Sequence, residues 1–303
     1  MTALTVPANL ARLVKEAFAK ARASGDLTYY ATQVTVLVFG TLAFQLRFSP
    51  ALAHKPKAPK STDPSAKPFN PFENPPPGLR VTEVPPSHRI VLNKFAVVPE
   101  HFILATRDFK PQTHVLEIND IDAAYACIQA YRNAGQDLFV FFNSGEHSGA
   151  SQAHRHLQLL PVECMKSGLD RDWAVLTDVV REQGTTLPFM MFTSAIEPSM
   201  AAEEKHRIYL DLYKRAVQAT TDHADVSETG EAQISYNLAL TATTMALAPR
   251  ISESIRIDGG SIALNGTVLA GTALVKNEAE WDYLRANPTM LSDALGGIGV
   301  PTT

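Results

Sequence analysis

The chain has 303 residues, of which 45% are hydrophobic and 19% charged, and its formal net charge is −4. This composition excludes a disordered protein and predicts a globular one, with a length that suits one large domain or two intimate halves and a sizeable core. The slightly negative charge and the absence of a long basic run argue against duplex nucleic acid as a partner. Cys127 and Cys164 form no CxxC pair, so a thiolate metal centre or disulfide framework is not expected and a reducing compartment is favoured.

The N-terminal part predicts a helix followed by a hairpin. Apolar residues recur at helical spacing over 6–23, and Gly25 is a typical helix stop. Lys and Glu interrupt this segment, so it is not a signal peptide, and the most apolar stretch, 34–44, is too short to cross a membrane. We therefore expect a cytoplasmic protein, with the nucleus as a second compartment. Residues 32–48, rich in Val, Phe, Thr and Leu around Gly40, predict two strands.

Residues 55–86 differ from the rest of the chain because proline dominates and apolar residues are few. Such a composition predicts an extended, mobile arm. A plain linker is the simplest interpretation. The alternative is that residues 49–57 contact a ligand and the remainder is a spacer. A disordered arm and an arm that closes over a substrate both stay open.

The remainder of the chain alternates strands and helices. The predicted strands are 88–98, 102–107, 137–142, 150–161, 235–240, 245–248 and 266–276. The predicted helices are one capped by Asn119 and stopped by Gly135, and those at 172–181, 201–219 and 278–295. Strands joined by short turns, with helices between groups, predict an α+β fold on an antiparallel sheet, and we expect a single domain over 1–303.

Residues 150–163, ASQAHRHLQLLPVE, carry the strongest local pattern. Side chains alternate between the faces of a strand, so His154, His156 and Gln158 share a polar face, opposite an apolar one. Three interpretations remain at this point: chance polar residues on a surface strand, a metal site completed by His147 or Glu146, and a histidine nucleophile or general base.

Further segments share a family resemblance with this motif, in family order. They are RASGDL (22–27), FQLRFSPALAHKP (44–56), FNPFENP (69–75), VLNKFAVVPEHFILATRDFKPQ (91–112), FNSGEHSGASQAHRHLQLLPV (142–162), SYNLALT (235–241) and LNGTVLAGTALVK (264–276). Together they resemble the fungal diadenosine tetraphosphate phosphorylases, or ATP adenylyltransferases, in the nucleotidyltransferase branch of the histidine-triad superfamily. The resemblance covers most of the chain. It implies a histidine-triad-like, galactose-1-phosphate uridylyltransferase-like fold: an antiparallel sheet with flanking helices.

The resemblance also implies a mechanism. His156 would attack the α-phosphorus of diadenosine tetraphosphate (Ap4A), release ATP and carry an adenylyl group, which inorganic phosphate would remove as ADP. His154 would orient His156 through a backbone carbonyl that accepts from the other ring nitrogen. Gln158 stands where hydrolases of the superfamily usually have a third histidine, which implies transfer rather than hydrolysis. No organic cofactor is expected, although Mg²⁺ or another divalent cation could bind with the polyphosphate.

Other positions match substrate contacts of the family. They are Lys55, Asn93, Lys94, Asn143, Gly149, Ala150, Ser151, Gln152, Asn265, Gly266, Thr267, Thr272 and Lys276. The chain departs from the family pattern at Ala153, where proline is usual, at Thr243 and Thr244, where Trp-Met is usual, and at Thr272, where methionine is usual. These departures put the preferred substrate in doubt.

Several alternatives therefore stay open. One is nucleotidyl transfer or hydrolysis on adenosine phosphosulfate or a nucleoside-diphosphate sugar, and another is a catalytically weak nucleotide sensor. In each case we expect small-molecule partners, no nucleic acid, no membrane, and a monomer or weak homodimer.

Overall fold

The fold is that of a computed structural model, which describes residues 4–54, 69–221, 225–258 and 260–302. Its strands are β1 Thr28–Tyr29, β2 Gln33–Phe39, β3 Leu42–Phe48, β4 Arg80–Val84, β5 His88–Leu92, β6 Phe95–Ala96, β7 Phe102–Thr106, β8 Leu138–Ser144, β9 His156–Pro161, β10 Phe192–Ala195, β11 Tyr236–Leu240, β12 Thr244–Pro249, β13 Ser254–Ile257, β14 Gly260–Ala263 and β15 Thr272–Val275. Its α-helices are α1 Leu10–Ser24, α2 Ile118–Asn133, α3 Val162–Lys166, α4 Leu176–Gln183, α5 Ala202–Thr220, α6 Glu278–Ala286 and α7 Thr289–Ile298.

An eight-stranded sheet forms the centre of the molecule, in the order β10-β12-β11-β8-β9-β7-β5-β4. Every neighbouring pair in it is antiparallel. A separate three-stranded sheet, in the order β15-β3-β2, contains a parallel β15–β3 pair. Helices and an antiparallel sheet together confirm the predicted α+β class.

The two faces of the central sheet bury different cores. On one face, alternate residues such as Leu157 of β9 and Leu104 of β7 pack with α1, α2 and α5. On the other face, Phe141 of β8 and Leu160 of β9 pack with the three-stranded sheet and with α4, α6 and α7. His156 and Gln158 lie on this second face, because His156 pairs with Ala105, and Gln158 pairs with Phe141. The described residues contain no helix with the length and apolar character needed to cross a membrane.

The N-terminal elements agree with their sequence signals. The helix α1 ends at Gly25, whose φ of 78° lies in the left-handed region and whose N–H donates to the Arg22 carbonyl. The hairpin β2–β3 turns at Gly40. Cys127 and Cys164 are both free thiols.

Several predicted boundaries were wrong. Strand β9 begins at His156 rather than near residue 150, and residues 266–270 form a 3₁₀ helix before the short β15. The predicted helix over 278–295 is two helices, because the residue before a proline disfavours the helical conformation and Asn287 precedes Pro288. Helix α2 is capped by Glu117, whose N–H donates to the Asp120 carboxylate, and not by Asn119.

Only the second half of the proline-rich arm lies within the described part of the chain. Residues 55–68 lie outside the described part of the chain. Residues 69–86 contain a 3₁₀ turn, Pro77–Leu79, and the edge strand β4. This half is held because Phe72 is buried and Arg89 donates to the Phe72 carbonyl oxygen at 3.4 Å. Residues 69–86 are therefore attached to the central sheet, in which β4 pairs with β5.

Candidate active site

His156 is the first residue of β9 and is only 4% exposed. Its Nδ1 lies 2.8 Å from the carbonyl oxygen of His154. A carbonyl only accepts, so Nδ1 carries the proton and Nε2 keeps the lone pair. Burial lowers the pKa of His156 to about 4, and the hydrogen bond to the His154 carbonyl offsets this only in part. The ring is therefore neutral near pH 7, with its nucleophilic nitrogen defined.

His154 uses both ring nitrogens within the protein. Nε2 lies 2.9 Å from the Thr106 carbonyl oxygen, to which it donates. Nδ1 then accepts from the Asn70 amide at 2.9 Å. Burial lowers the pKa of this ring too. Because neither nitrogen retains a free lone pair, His154 does not suit metal ligation. The described residues also bring no three His, Cys, Asp or Glu side chains together in a metal-binding group.

Phe72 covers the two histidines from the proline-rich segment. Its ring centroid lies 4.9 Å from that of His156 and 5.7 Å from that of His154. On its other sides Phe72 packs with Val91, Ile103 and Ala105 of the central sheet. This apolar cover is one source of the desolvation that lowers the His156 pKa. Both Asn70 and Phe72 belong to the motif FNPFENP, whose sequence alone does not indicate their contacts with the histidines.

Gln112 lies beside the nucleophile's backbone and was not predicted as a site residue. Its Nε2 donates to the carbonyl oxygens of Asn143, at 2.8 Å, and His156, at 3.1 Å. Its Oε1 accepts from the His156 N–H at 2.8 Å. The side chain is buried, so all these hydrogen bonds are shielded from water.

Arg155 anchors the histidine segment from the opposite face of the sheet. Its guanidinium donates to Asp120 at 2.8 Å and to Glu117 at 3.0 Å. His88 Nε2 contacts the other oxygen of Asp120 at 2.9 Å. Burial alone would raise the pKa of Asp120, but the His88 hydrogen bond and the Arg155 charge outweigh it and leave that pKa below its usual value. A paired, ionised carboxylate thus fixes the residue between His154 and His156.

Asn143 connects strand β8 to the late segment of the chain. Its Oδ1 accepts from the Asn237 amide and from the Gly266 N–H, each at 2.9 Å. A Cβ at position 266 would lie 2.8 Å from that oxygen, so only glycine allows this approach. Asn265 in turn accepts from the N–H and hydroxyl of Thr267 at 3.0 and 2.9 Å. The structure therefore brings Asn143, Asn265, Gly266 and Thr267 together.

The loop 149–152 lies against the same late segment. Gly149 has φ 80°, and a Cβ there would lie 2.8 Å from Cβ of Asn265. Ala150 donates its N–H to the Ser148 hydroxyl at 3.3 Å. The N–H groups of Gly149, Ser151 and Gln152 make no hydrogen bond to another described residue. Unpaired amides in a tight loop are suited to an anion.

Two further predicted residues lie in the turn after β5. The Asn93 amide oxygen accepts from the Phe95 N–H at 2.9 Å, and the amide nitrogen contacts the His101 ring at 3.2 Å. These contacts give Asn93 a structural task in the turn. The Lys94 side chain is exposed, with its ammonium 5.8 Å from the centroid of the Phe95 ring. Within the described part of the chain, neither side chain forms a hydrogen bond or an ion pair with His156.

The other predicted residues differ in burial and in position. Thr272 is buried in β15, with its hydroxyl 3.5 Å from Oε1 of Gln45. Lys276 is exposed beyond the end of β15. Gln158 is half-buried on the same face as His156. Lys55 lies outside the described residues.

Thr243 and Thr244 lie in the β11–β12 hairpin, beside helix α4. The Asp178 carboxylate accepts from the hydroxyls of Thr241, at 2.7 Å, and Thr244, at 2.5 Å. The turn lies at the end of β11 that is remote from Asn237, which contacts the site. The departure from the family pattern at Thr243 and Thr244 therefore lies where the hairpin contacts helix α4.

Comparison with known proteins relates both parts of the chain to known families. Residues 1–173 match the family described as Ap4A phosphorylase N-terminal domain, and residues 185–301 match that described as ATP adenylyltransferase C-terminal domain. The chain is 29% identical to diadenosine 5',5'''-P1,P4-tetraphosphate phosphorylase 2 of Saccharomyces cerevisiae over 97% of this chain and 96% of that protein. Crystal structures of yeast Ap4A phosphorylase Apa2, without ligand and in complex with AMP, superpose with a TM-score of 0.82 at 25% identity. They cover 99% of this chain and 100% and 99% of theirs.

A buried, neutral imidazole on an antiparallel sheet, in a chain with these matches, defines the protein as an enzyme of the nucleotidyltransferase class. More specifically, the chain belongs to the Ap4A phosphorylase family. The resemblance inferred from the sequence motifs is thereby confirmed.

Proposed function

We propose that this protein cleaves diadenosine tetraphosphate with inorganic phosphate, giving ATP and ADP through an adenylyl group carried on His156. The observation that carries the proposal is the state of His156. Its Nδ1 proton is directed at the His154 carbonyl, and burial keeps the ring neutral. A nucleophile for phosphorus needs this free lone pair on Nε2, and a covalent intermediate divides one difficult displacement into two.

In the first step Nε2 of His156 attacks the α-phosphorus. An N–P bond forms, the bond from that phosphorus to the bridging oxygen breaks, and ATP leaves with the bonding electrons. The ring becomes a cationic adenylyl-imidazolium, and its Nδ1–H stays hydrogen-bonded to the His154 carbonyl, which stabilises the charge. In the second step a phosphate oxygen attacks the same phosphorus, the N–P bond breaks, and ADP and neutral His156 result.

The residues around His156 suit the demands of both steps. The Asn143 Oδ1 already accepts two hydrogen bonds, so its amide nitrogen is the group left to donate to a phosphate oxygen. The unpaired N–H groups in the loop 149–152 can add donors from the protein backbone. Gln158 carries an amide on the same face, which can donate to phosphate but cannot act as a general base towards water. We therefore favour transfer to phosphate over hydrolysis.

Contacts farther along the substrate are proposed on family resemblance. Lys55 and Lys94 would supply positive charge to the polyphosphate, and Asn93 would lie near the nucleotide. Asn265, Gly266, Thr267, Thr272 and Lys276 would form the late substrate-binding segment. Mg²⁺ or another divalent cation could bind with the polyphosphate rather than to the protein. We also propose a cytoplasmic monomer or weak homodimer that acts on small molecules and not on nucleic acid.

The test is an incubation with diadenosine tetraphosphate, with and without inorganic phosphate, and separation of the products by ion-exchange chromatography. ATP and ADP should appear in equal amounts only with phosphate, and His156→Ala should lose at least about a thousandfold in rate. The matched control is His206→Gln, because His206 lies on α5 and bonds the Leu116 carbonyl, away from the site.

Other products would assign other activities. Two ADP, or ATP with AMP, formed without phosphate would make the protein a hydrolase and contradict the role of Gln158. Tight nucleotide binding without turnover would indicate a sensor or another nucleotide substrate, such as adenosine phosphosulfate or a nucleoside-diphosphate sugar.

A further inference from the structure

Strands β8 and β9 stop pairing just before they reach the site. Their last paired residues at this end are Phe141 and Gln158. If the register continued, the next pair on the same face would join Asn143 to His156, because the two chains run antiparallel. In a regular ladder the two residues of a hydrogen-bonded pair exchange two hydrogen bonds, and one of these, about 2.9 Å long, would run from the His156 N–H to the Asn143 carbonyl oxygen.

The Gln112 amide occupies the place of that hydrogen bond. One end donates to the Asn143 carbonyl oxygen at 2.8 Å, and the other accepts from the His156 N–H at 2.8 Å. The same Nε2 also donates to the His156 carbonyl oxygen at 3.1 Å. Two hydrogen bonds and the width of an amide group therefore separate the strands where one hydrogen bond would otherwise join them.

The Gln112 backbone is fixed independently of its side chain. Its N–H donates to the Ala153 carbonyl oxygen at 2.8 Å, and the neighbouring Pro111 forms a bridge with His154. The Arg155 N–H donates to the Lys110 carbonyl oxygen at 2.7 Å. The segment that carries the inserted amide is thus paired with the histidine segment, and the amide has a defined position.

We propose that Gln112 is a positioning residue that holds β8 and β9 apart, so that an α-phosphate can enter between Asn143 and Nε2 of His156. This inference rests on the proposed function and extends it to a residue that touches the nucleophile only through its backbone. An antiparallel ladder that closed at this point would bring the two Cα atoms to about 5.5 Å. The wider gap, and the hydrogen bonds that fix the His156 backbone, set the attack geometry.

The test compares Gln112→Met, which has a similar volume and no hydrogen bonds of this kind, with Gln112→Glu, which keeps the acceptor but loses the donor. We expect kcat and the single-turnover rate of protein adenylylation to fall about 100-fold in Gln112→Met, the typical effect of misplacing a reacting group by about 1 Å. KM and the dissociation constant for AMP should change less than about threefold, since the ligand-contacting side chains remain. The activity of Gln112→Glu should lie between that of the wild type and that of Gln112→Met.

The control is Thr241→Val, which removes a buried hydrogen bond to Asp178 at a distance from the site. It should lower the melting temperature without changing kcat. A Gln112→Met enzyme with kcat within threefold of wild type, or with KM raised as strongly as kcat falls, would overturn the proposal.

A second readout does not depend on turnover. A crystal structure of Gln112→Met should show β8 and β9 closer together, with the His156 N–H bonded to the Asn143 carbonyl, and unchanged strand separation would also overturn the proposal. If the wild-type protein lacked adenylyl transfer altogether, the proposed function would fail, and this structural comparison would still decide whether Gln112 spaces the strands.

Discussion

The depressed pKa of His156 ties the candidate nucleophile to the stability of the protein. The folded pKa is about 4 and the unfolded value about 6.5, so the unfolded chain takes up the proton first as the pH falls. The contribution of His156 to the free energy of unfolding is fully present above about pH 6.5 and is lost as the pH falls towards about 4. At pH 5 the loss relative to pH 7 should be about 2 kcal/mol.

The measurement is urea unfolding at pH 7 and pH 5 of the wild type and His156→Gln. Replacement by a residue that does not titrate should reduce the stability difference between the two pH values by about 2 kcal/mol. His154 also has a lowered pKa, so part of the wild-type pH dependence should remain in the variant. An identical pH dependence in both proteins would show that His156 is not held neutral by burial.

At the scale of single residues, the sequence singles out the two histidines but not the residues that pack around them. Strand alternation puts His154 and His156 on one face, and the family resemblance implies the contact of the His156 ring with a backbone carbonyl, which the structure shows two residues away. Neither of these signals identifies Phe72 or Gln112, because both approach from distant segments. Asn70, in the segment of Phe72, bonds His154 across 84 residues, and Gln112 bonds His156 across 44. Nothing in local periodicity states where a proline-rich segment folds back.

At the scale of elements, helix α4 is attached to the β11–β12 hairpin through hydrogen bonds to the Asp178 carboxylate. Asp178 accepts short hydrogen bonds from Thr241 and Thr244, and Arg181 donates to the Thr244 hydroxyl at 2.8 Å. Hydrogen bonds to a charged group contribute about 1.5–3 kcal/mol. We expect Asp178→Asn to lower the free energy of unfolding by about 2 kcal/mol and to leave kcat and KM unchanged, as measured by chemical denaturation and steady-state kinetics. A raised KM would instead show that the Thr243–Thr244 departure affects substrate binding.

Element types were predicted more reliably than element boundaries. The helices α1 and α5 and the hairpin β2–β3 follow strong periodic patterns, whereas the errors arose at special residues. Residues 266–270 have a strand-like composition, but Asn265 accepts from the Thr267 N–H and starts a 3₁₀ turn. Tertiary contact with Asn143 decides the conformation there, and composition does not report it.

At the scale of the whole molecule, the two family-matched parts share their sheets. Strand β8 of the first part pairs with β11 of the second, and β3 pairs with β15. Asn143 of the first part also accepts hydrogen bonds from Asn237 and Gly266 of the second. A fragment of residues 1–184 would expose two strand edges and much of the second core, so we expect it to aggregate or stay unfolded.

The corresponding measurement is circular dichroism and amide NMR of this fragment, alongside urea unfolding of the full chain. The full chain should unfold in a single transition seen alike by tyrosine fluorescence and by circular dichroism. A dispersed NMR spectrum from the fragment, or two separate transitions in the full chain, would mean that the parts fold on their own.

The parallel pairing of β3 with β15 has a consequence for biosynthesis. Gln45 and Thr272 become neighbours although 227 residues separate them. At about 5–20 residues per second, a ribosome needs roughly 10–45 s to make the intervening chain. During that interval the apolar β2–β3 hairpin has emerged without the strand that completes its sheet, which makes it a natural binding site for a chaperone on the nascent chain.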